Sequence, residues 1–315
     1  MRVVATSSLP IELAGQLAAA LPDVQVDVPS GGHAGLVNVD LTDADALICL
    51  LLDKIDRDVL ARAPKLRVIA NCAVGIDNID VAAATAANVV VTNTPNVLTE
   101  ATAEFAFTLM LAAARRLGEG ERLVRSGTWS GWALDQLLGV ELHGKTLGIV
   151  GHGRIGRAMA RRALAFGMRV VVTGSSAPPD PPAVPLDVDE LFATADVVSL
   201  HCPLTPATRN LVDARRLGLM KPTSILVNTA RGGCVDEAAL AAALAAGQIA
   251  GAGLDVYAHE PRISPALVAC ERVVLAPHIG SATTETRTAM AQLCADAVIA
   301  VLGNPARRPP NQVNA

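Results

Sequence analysis

Short apolar runs alternate with segments of helical periodicity along the first hundred residues. The helical pattern covers Ile11–Leu21 and Asp56–Ala63. Strands are predicted for five apolar runs: Val3–Ala5, Val24–Val28, Ala46–Leu51, Val68–Ala70 and Val89–Thr92. Because strands that alternate with helices usually pair in parallel, this part of the chain is predicted to form βαβ units.

A segment rich in alanine and leucine follows, from Thr99 to Leu117. It predicts one long helix, with Thr99 as its N-cap and Gly118 as the residue that ends it. We expect this helix to bridge two domains.

A second alternating run begins at Thr146. Six strands are predicted there, enough for a full nucleotide-binding sheet: Thr146–Val150, Arg169–Val172, Val197–Leu200, Ser224–Asn228, Ile249–Leu254 and Val273–Leu275. Five prolines crowd the segment from Ala177 to Pro185 and predict a surface loop without regular structure. A last helical pattern runs from about Thr283 to Leu302 and ends at Gly303.

The composition agrees with this pattern. A chain of 315 residues is long enough for about two domains of ordinary size. Apolar residues make up 51% of it but aromatic residues only 2%, so alanine, valine, leucine and isoleucine must build the core. An α/β layered fold is therefore predicted.

Charge and cysteine usage exclude several classes of protein. The net charge is −4 and no segment clusters lysine and arginine, so nucleic acid is not an expected partner. The six cysteines form no C-x-x-C pair, which argues against a disulfide framework and against a metal site. With no signal-peptide pattern and no long apolar span, we expect a cytoplasmic protein that does not contact membranes.

A glycine motif links the first strand of the second run to a helix. The chain reads Gly151-His152-Gly153-Arg154-Ile155-Gly156 directly after the apolar run, which is the G-x-G-x-x-G pattern of a dinucleotide site. Gly151 permits the tight turn, Gly153 lets the backbone approach a pyrophosphate, and Gly156 lets helix and strand pack closely. The N-terminus of the helix offers N–H groups to the phosphates.

Reactive side chains are expected in the loops that follow the strands of such a sheet, because ligands bind there. Three of these loops, Thr229–Gly233, Asp255–Pro261 and Ala276–Ser281, supply Arg231, Glu260 and His278. Each residue alone has a structural explanation: a solvated arginine, a turn glutamate, a capping histidine. Together they predict a site for reduction of a 2-oxo acid, in which His278 is the proton donor, Glu260 orients it and Arg231 holds the substrate carboxylate.

These residues resemble the D-isomer-specific 2-hydroxyacid dehydrogenase family along nearly the whole chain. The segments that carry the resemblance are Val74–Asn78, Gly151–Gly156, His201–Thr205, Asn228–Gly233, Gly253–Val256 and Pro277–Ser281. The run from His278 to Thr283, together with Thr173 and Gly174, is similar to the glyoxylate/hydroxypyruvate reductase branch.

The resemblance implies further residue roles. The backbone N–H groups of Val74 and Gly75 would bind the substrate carboxylate, with Ser281, Arg231 and His278 also at the substrate. The dinucleotide site would comprise Gly151, Gly153, Arg154, Ile155, Gly156, Pro203, Thr229, Asp255, His278 and Gly280, with Asp255 on the nicotinamide carboxamide. Arg231, Glu260 and His278 take the same catalytic roles that their positions after the strands predict.

The family architecture implies two Rossmann-like domains with doubly wound parallel sheets. A discontinuous substrate domain of residues 1–98 and 284–315 would hold an inserted dinucleotide-binding domain of residues 99–283. Members are typically homodimers, and the long helix and following loop contribute to the interface. Trp129 and Trp132 fall in that loop, where they pack within one subunit or lie near the neighbouring subunit's cleft.

The second strand of the nucleotide-binding run lacks the acid that normally accepts the ribose 2′-OH of NAD. Gly174 stands at that position, and Ser175 and Ser176 follow as possible donors to a 2′-phosphate. We therefore predict a preference for NADP(H), with NAD(H) possible.

The expected activity is NAD(P)H-dependent reduction of a small 2-oxo acid of the glyoxylate or hydroxypyruvate type to the D-2-hydroxy acid. D-3-phosphoglycerate, D-lactate and 2-ketogluconate dehydrogenases of the same family are alternatives. So is a non-enzymatic, dinucleotide-sensing protein of the corepressor type.

Overall fold

The computed structural model describes residues 1–174, 182–304 and 308–314. The chain forms two compact units. Unit 1 consists of Met1–Leu98 and Ala282–Ala315, and unit 2 is the continuous segment Thr99–Ser281. None of the helices built from the described residues is long and apolar enough to cross a membrane.

The strands are β1 (Arg2–Ala5), β2 (Gln25–Asp27), β3 (Ala46–Cys49), β4 (Val68–Asn71), β5 (Val90–Thr92), β6 (Thr146–Val150), β7 (Arg169–Thr173), β8 (Val184–Pro185), β9 (Val197–Leu200), β10 (Ile225–Asn228), β11 (Gly251–Leu254) and β12 (Val273–Leu275). The helices are α1 (Leu13–Ala20), α2 (Arg57–Ala61), α3 (Val81–Ala86), α4 (Thr99–Ala114), α5 (Leu117–Arg125), α6 (Arg154–Ala165), α7 (Val188–Thr194), α8 (Ala214–Leu217), α9 (Glu237–Ala245), α10 (Pro265–Val268) and α11 (Thr284–Gly303). Short 3₁₀ turns lie at Leu36–Asn38 and Gly232–Cys234.

Unit 1 contains a five-stranded parallel sheet in the order β2-β1-β3-β4-β5. Strands β3 and β4 are buried along their whole length, as expected for central strands covered on both faces. One face packs against α1 and α11, whose buried side chains include Leu17 and Val298. A second cluster of buried residues covers the other face and includes Leu47 and Ile69.

The last described residues of the chain return to this sheet. Val313 donates its backbone N–H to Val91 (2.8 Å), and Asn93 donates to Asn311 (3.3 Å), beside β5 at the edge of the sheet. These bonds satisfy backbone groups that an edge strand would otherwise leave exposed.

Unit 2 contains a seven-stranded parallel sheet in the order β12-β11-β10-β9-β6-β7-β8. The chain builds outward from β6 in one direction through β7 and β8, then crosses back to β9 on the other side. The carboxyl end of β6 is therefore a topological switch point, where open α/β sheets bind ligands. Together the two sheets and their flanking helices confirm the predicted α/β fold class.

One strand was not expected. The proline-rich segment from Ala177 to Pro185 was predicted to lack regular structure, but Val184–Pro185 forms β8 and pairs with Val171 and Val172. Pro185 fits there because β8 is an edge strand, where a residue without an N–H costs no bond to a further neighbour. Residues 177–181 of that segment lie outside the described residues.

The long helix predicted from Thr99 to Leu117 is wrong at its C-terminal end. Helix α4 ends at Ala114, Arg116 adopts a left-handed φ of 51°, and α5 begins at Leu117, so Gly118 lies inside a helix rather than ending one. The backbone N–H of Val140 donates to the carbonyl of Ala114 (2.8 Å) and competes with continuation of the helix. Thr99 is the first helical residue.

Candidate active site

The glycine loop lies at the carboxyl end of β6. At two of its positions, Gly151 and Gly156, the neighbouring backbone leaves no room for a side chain. Gly151 has a φ of +97°, and a Cβ on it would lie 2.7 Å from the backbone of His201 and Cys202. A Cβ on Gly156 would lie 2.3 Å from the carbonyl oxygen of Gly151. Any side chain at these two positions would push strand, turn and helix apart.

Gly153 differs from these two glycines. It is the exposed N-cap of α6, and no heavy atom of the part of the chain described lies within 4 Å of where its Cβ would stand. Packing inside the protein therefore does not explain this glycine. A ligand that approaches the backbone closely would explain it, and the helix N-terminus there favours an anion.

Gly174 directly follows the neighbouring strand β7 and lies beside this loop. A Cβ on Gly174 would be 3.8 Å from the backbone of Gly151, and its φ is +79°. The position that an acidic residue would occupy in an NAD site is thus a glycine next to the glycine loop. Ser175 and Ser176, predicted to contact a 2′-phosphate, lie outside the described residues.

The loop after β10 is held by its own asparagine. The Asn228 side chain donates to the Arg231 carbonyl (2.9 Å) and accepts from the Ala230 N–H (3.0 Å). The next residue, Gly232, lies against the loop after β11, where a Cβ would approach the Tyr257 carbonyl carbon to 1.9 Å. Two of the three predicted loops therefore pack directly on one another. The backbone of Arg231 lies next to this contact.

Glu260 and His278 form the central pair of the site. The Nδ1 atom of His278 lies 2.8 Å from Oε2 of Glu260, and both side chains are largely buried. The other carboxylate oxygen of Glu260 accepts the backbone N–H of Tyr257 (2.9 Å). Each carboxylate oxygen therefore has its own donor, which fixes the orientation of the imidazole and leaves Nε2 for other partners.

The charges around Glu260 decide its ionisation. Burial alone would raise the pKa of Glu260, but the hydrogen bond and charge of His278, the Tyr257 N–H and the nearby Arg231 charge together hold its pKa below the ordinary value. Glu260 is therefore an anion at neutral pH. Arg231 contributes a positive charge on the same side of the unit.

Asp255 fixes the backbone on which His278 stands. Its two carboxylate oxygens accept the N–H groups of Ile279 and Gly280, each at 2.7 Å, and the residue is only 1% exposed. Burial raises the pKa of Asp255, although these two hydrogen bonds oppose the rise. His278 itself has a φ of 56°, so the two bonds also hold the chain in a conformation that L-residues seldom adopt.

Tyr257 is a residue of the site to which sequence reasoning gave no role. Its hydroxyl donates to the carbonyls of Ala276 (2.8 Å) and Leu254 (3.2 Å), which joins the ends of β11 and β12. Burial raises the pKa of Tyr257 to about 12, so this donor stays protonated. It is the single tyrosine of the sequence and lies three residues after a buried strand, and that position was the available signal.

The remaining predicted dinucleotide residues lie on the same edge of the sheet. Thr229 follows β10, and its hydroxyl is buried with no hydrogen-bond partner among the described residues. Pro203 is exposed after β9, Arg154 is exposed at the first position of α6, and Ile155 beside it is half-buried. Ser281 is half-buried and ends unit 2.

Val74 and Gly75 belong to unit 1, in the turn after β4. The carbonyl of Val74 accepts the Asn93 side chain (2.8 Å), and that of Gly75 accepts the Asn71 side chain (2.8 Å). Two asparagines thus fix the peptide planes of this turn from the carbonyl side.

No group of three or more His, Cys, Asp and Glu side chains within the described ranges could hold a metal ion. The ionisable groups that the site does bring together are an imidazole, carboxylates and a guanidinium.

Comparison with known proteins places the chain in a family. Residues 107–280 match the family model described as D-isomer specific 2-hydroxyacid dehydrogenase, NAD binding domain. The matched segment contains the glycine loop and all three predicted catalytic side chains.

Individual relatives agree along almost the whole chain. The glyoxylate reductase of Thermococcus litoralis is 47% identical over 294 residues, which are 91% of this chain and 88% of that enzyme. The crystal structure of the TT0316 protein from Thermus thermophilus superposes with a TM-score of 0.92 at 45% identity, covering 99% of this chain and 100% of that one.

A third relative was solved with a dinucleotide. The NADPH-dependent glyoxylate/hydroxypyruvate reductase of Sinorhizobium meliloti, in complex with NADP and malonate, has a TM-score of 0.84 at 33% identity and covers 99% of this chain and 96% of that one. The protein described here belongs to the D-isomer specific 2-hydroxyacid dehydrogenase family and is an oxidoreductase with a nicotinamide-dinucleotide-binding domain.

Proposed function

We propose that this protein reduces glyoxylate, hydroxypyruvate or a similar small 2-oxo acid with NADPH, and that His278 is the acid/base of the reaction. The observation that carries the proposal is the Glu260–His278 pair at 2.8 Å in the nucleotide-binding unit, next to the charge of Arg231. The relatives named above, which include two glyoxylate-reducing enzymes, support the same substrate class.

The residues of unit 2 fit a dinucleotide. Gly151, Gly153 and Gly156 would hold the pyrophosphate at the N-terminus of α6, whose first turn, fully described, carries no acidic side chain to repel it. The unpartnered buried hydroxyl of Thr229 would bond the dinucleotide, as would Arg154. Pro203 and Ile155 would line the site, and Gly280 and Asp255 would face the nicotinamide. When bound, the reduced nicotinamide supplies a hydride to the carbonyl carbon of the substrate.

The side chains of this chain would manage charge and the proton. Negative charge develops on the carbonyl oxygen during reduction, and His278 would donate its Nε2 proton to that oxygen. Glu260, bound to Nδ1, favours the protonated imidazole before the transfer and keeps the ring oriented. Arg231 would hold the substrate carboxylate and polarise the carbonyl beside it.

The substrate carboxylate would also accept the backbone N–H groups of Val74 and Gly75, with Ser281 as a further polar contact. The Asn93 bond to the Val74 carbonyl fixes the peptide plane that carries the Gly75 N–H. The Ala73 carbonyl, which shares its peptide plane with the Val74 N–H, accepts the Thr94 N–H (3.0 Å), so both donors are held in fixed directions. Fixed donors aimed at an anion cost little reorganisation on binding. Unit 1 is accordingly proposed as the substrate domain and unit 2 as the dinucleotide-binding domain.

NADPH is the proposed cofactor because Gly174 offers no carboxylate where a 2′-phosphate would stand. A carboxylate at the end of β7 would accept bonds from the ribose of NAD and repel the phosphate of NADP. We expect kcat/KM to be higher with NADPH than with NADH. Equal or better efficiency with NADH would refute this part of the proposal.

The alternative functions are less well supported. Dehydrogenases for D-3-phosphoglycerate, D-lactate or 2-ketogluconate would share the same catalytic triad, but the relatives compared above that have a named activity are glyoxylate reductases. A corepressor-type binding protein would be favoured if no 2-oxo acid were reduced.

The experiment is a nicotinamide absorbance assay with glyoxylate, hydroxypyruvate, pyruvate and 2-ketogluconate, each with NADPH and NADH. We expect His278→Asn and Arg231→Ala to lower kcat by about a hundredfold or more while dinucleotide affinity stays nearly unchanged. His259→Asn and Arg262→Ala, exposed residues on either side of Glu260, are the matched controls. Wild-type rates in the His278 and Arg231 variants would remove the assigned roles.

A homodimer is proposed from the exposed apolar side chains of residues 117–138. They are large and more than half exposed: Leu117, Val124, Trp129, Trp132, Leu134 and Leu138. Apolar surface of this extent on one segment is typical of a protein–protein contact. Light scattering should give the mass of two chains, and a Trp132→Ala variant that stays dimeric with unchanged kinetics would exclude a role for Trp132 in a neighbouring site.

A cytoplasmic location is proposed on the cysteines. All six are free thiols, which suits a reducing compartment. Fractionation of the native host should recover the protein with cytoplasmic markers.

A further inference from the structure

A second histidine–carboxylate pair lies in unit 1, outside the residues to which catalysis has been assigned. Asp53 is almost completely buried, with 1% of its side chain exposed, and its Oδ1 lies 2.8 Å from Nε2 of His33. Its Oδ2 accepts the hydroxyl of Thr6 (2.5 Å) and the backbone N–H of Leu50 (2.8 Å). The carboxylate therefore ties three separate segments together.

These segments lie at the end of the unit 1 sheet where the carboxyl ends of its parallel strands meet. Thr6 follows β1, and Leu50 and Asp53 follow β3. His33 lies on a stretch that pairs with the continuation of β1, where Ala34 donates its N–H to the Thr6 carbonyl (2.8 Å). Because β1, β3 and β4 are parallel neighbours, the turn of Val74 and Gly75 after β4 is at the same end of the sheet.

A chain of hydrogen bonds leads from this pair to the turn. The Asn78 side chain donates to the carbonyls of Leu50 (3.2 Å) and Asp53 (3.0 Å). The amides of Asn78 and Asn71 bond one another, with contacts of 3.3 and 3.4 Å. Asn71, fully buried, then donates to the Gly75 carbonyl (2.8 Å).

The backbone reinforces the same link. Ile55 donates its N–H to the Asn78 carbonyl, and Asp80 donates to the Ile55 carbonyl, both at 2.8 Å. The loop that carries Asp53 and the segment that follows Gly75 are therefore also joined by backbone bonds at Asn78 and Asp80.

We infer that Asp53 and His33 are positioning residues for substrate binding: they fix the loop after β3, which in turn fixes the Val74–Gly75 turn through Asn78 and Asn71. Both act through this turn rather than by contact with substrate or cofactor. The inference rests on the proposed function, in which the N–H groups of this turn bind the substrate carboxylate.

The physical reason is the high cost of leaving Asp53 without partners. A buried carboxylate needs its hydrogen bonds, so the three bound segments are held where those bonds are best. Removing the carboxylate frees Thr6, the Leu50 N–H and His33 at once. The 50–53 loop can then move, and the Asn78 amide loses fixed acceptors.

The test compares Asp53→Ala, Asp53→Asn and His33→Ala with the wild type. Asp53→Ala should raise the KM for glyoxylate about tenfold, the size of a lost charge-assisted hydrogen bond, while kcat stays within about twofold. The Kd for NADPH, measured by its fluorescence, should not change. Asp53→Asn keeps an acceptor oxygen, so its KM should rise less than that of Asp53→Ala. His33→Ala alters a partly exposed side chain, and its KM should also rise less than that of Asp53→Ala.

Asp27→Asn is the matched control. Asp27 pairs with Arg2 (2.7 Å) on the same sheet but has no bond to the loop after β3, so its loss should leave KM unchanged. Amide hydrogen exchange supplies a readout that needs no substrate. A peptide covering residues 71–78 should exchange faster in Asp53→Ala than in the wild type or in Asp27→Asn.

The outcomes separate the two proposals. If the wild type reduces none of the 2-oxo acids, the proposed function fails, and the exchange experiment still decides whether Asp53 orders the turn. An unchanged KM with unchanged exchange in Asp53→Ala overturns the inference. The inference is also overturned if KM rises while kcat and NADPH affinity fall by the same factor, because that pattern indicates general damage to the fold.

Discussion

Replacing Glu260 with glutamine should shift the pH dependence of the reaction. The carboxylate accepts from two donors, the imidazole Nδ1 of His278 and the N–H of Tyr257. Glutamine has one acceptor oxygen for these two donors, and its NH2 group must face one of them. The variant therefore loses the hydrogen bond to the protonated imidazole or the bond to the loop that holds the pair.

The magnitude follows from the pair geometry. A hydrogen bond between charged groups contributes about 1.5–3 kcal/mol, and the low end applies because the side chains are 25% and 17% exposed. About 1.4 kcal/mol corresponds to one pH unit. The alkaline limb of kcat/KM for reduction should therefore move to lower pH by about one unit, because reduction needs the protonated imidazole.

The reverse reaction should shift in the same direction. Oxidation of the hydroxy acid needs a neutral imidazole, so its acidic limb should move to lower pH by the same amount. The pKa of Glu260 lies below its ordinary value, so the wild-type carboxylate stays charged throughout the neutral range and does not itself set either limb.

The assay measures kcat/KM with glyoxylate and NADPH across the pH range for wild type, Glu260→Gln and Glu237→Gln. Glu237 also accepts a backbone N–H of this loop, from Ala258 (2.7 Å), but its carboxylate is not bonded to His278. The Glu237 variant should keep the wild-type profile. Superimposable profiles for wild type and Glu260→Gln would refute the reasoning.

Three further changes test other parts of the structure. Gly174→Asp should lower kcat/KM with NADPH about tenfold or more and spare NADH, because a carboxylate beside the glycine loop repels a 2′-phosphate; an unchanged ratio would count against the assignment. Gly232→Ala should lower the free energy of unfolding by about 1–3 kcal/mol, since its Cβ would overlap the Tyr257 backbone, whereas a Cβ at Gly31 would meet no atom of the described residues within 4 Å; calorimetry would measure both. Ending the chain after Pro310 removes the bonds of Asn311 and Val313 to the edge of β5, so the Tm should fall and association should increase; an unaltered Tm would contradict that role.

Local patterns were enough to predict much of the fold. Every strand predicted from an apolar run has a counterpart in the structure, because a buried parallel strand needs a short run of apolar residues and little else. The glycine loop was also accessible, since the turn at Gly151 and the packing at Gly156 are steric requirements of neighbouring residues.

The break between α4 and α5 was not accessible in the same way. Alanine and leucine favour a continuous helix through Arg116, but the Val140 N–H, from a segment far along the chain, binds the Ala114 carbonyl. A contact of this kind leaves no periodic signal near the residues it changes. Strand β8 is similar, because its proline tolerates pairing only at an edge that the sheet order creates.

The sequence predicted the residues of the candidate site better than the hydrogen bonds that join them. Placing reactive residues after adjacent strands led to Glu260 and His278, which lie in contact. Their catalytic roles, like those of Arg231 and the dinucleotide residues, stay predictions. The hydrogen bonds of Tyr257 could not be predicted, because they require its hydroxyl to reach two carbonyls at the ends of different strands. Spacing along the chain does not encode such a contact.

The discontinuity of unit 1 has a consequence during synthesis on the ribosome. All five of its strands emerge before residue 98, but α11, whose Ala295 and Val298 cover one face of that sheet, emerges after residue 283. At about 5–20 residues per second, the part of this face that α11 covers stays exposed for roughly ten to forty seconds while unit 2 is translated. A nascent chain stalled before α11 should therefore bind chaperones through its first hundred residues, even though unit 2 is already complete.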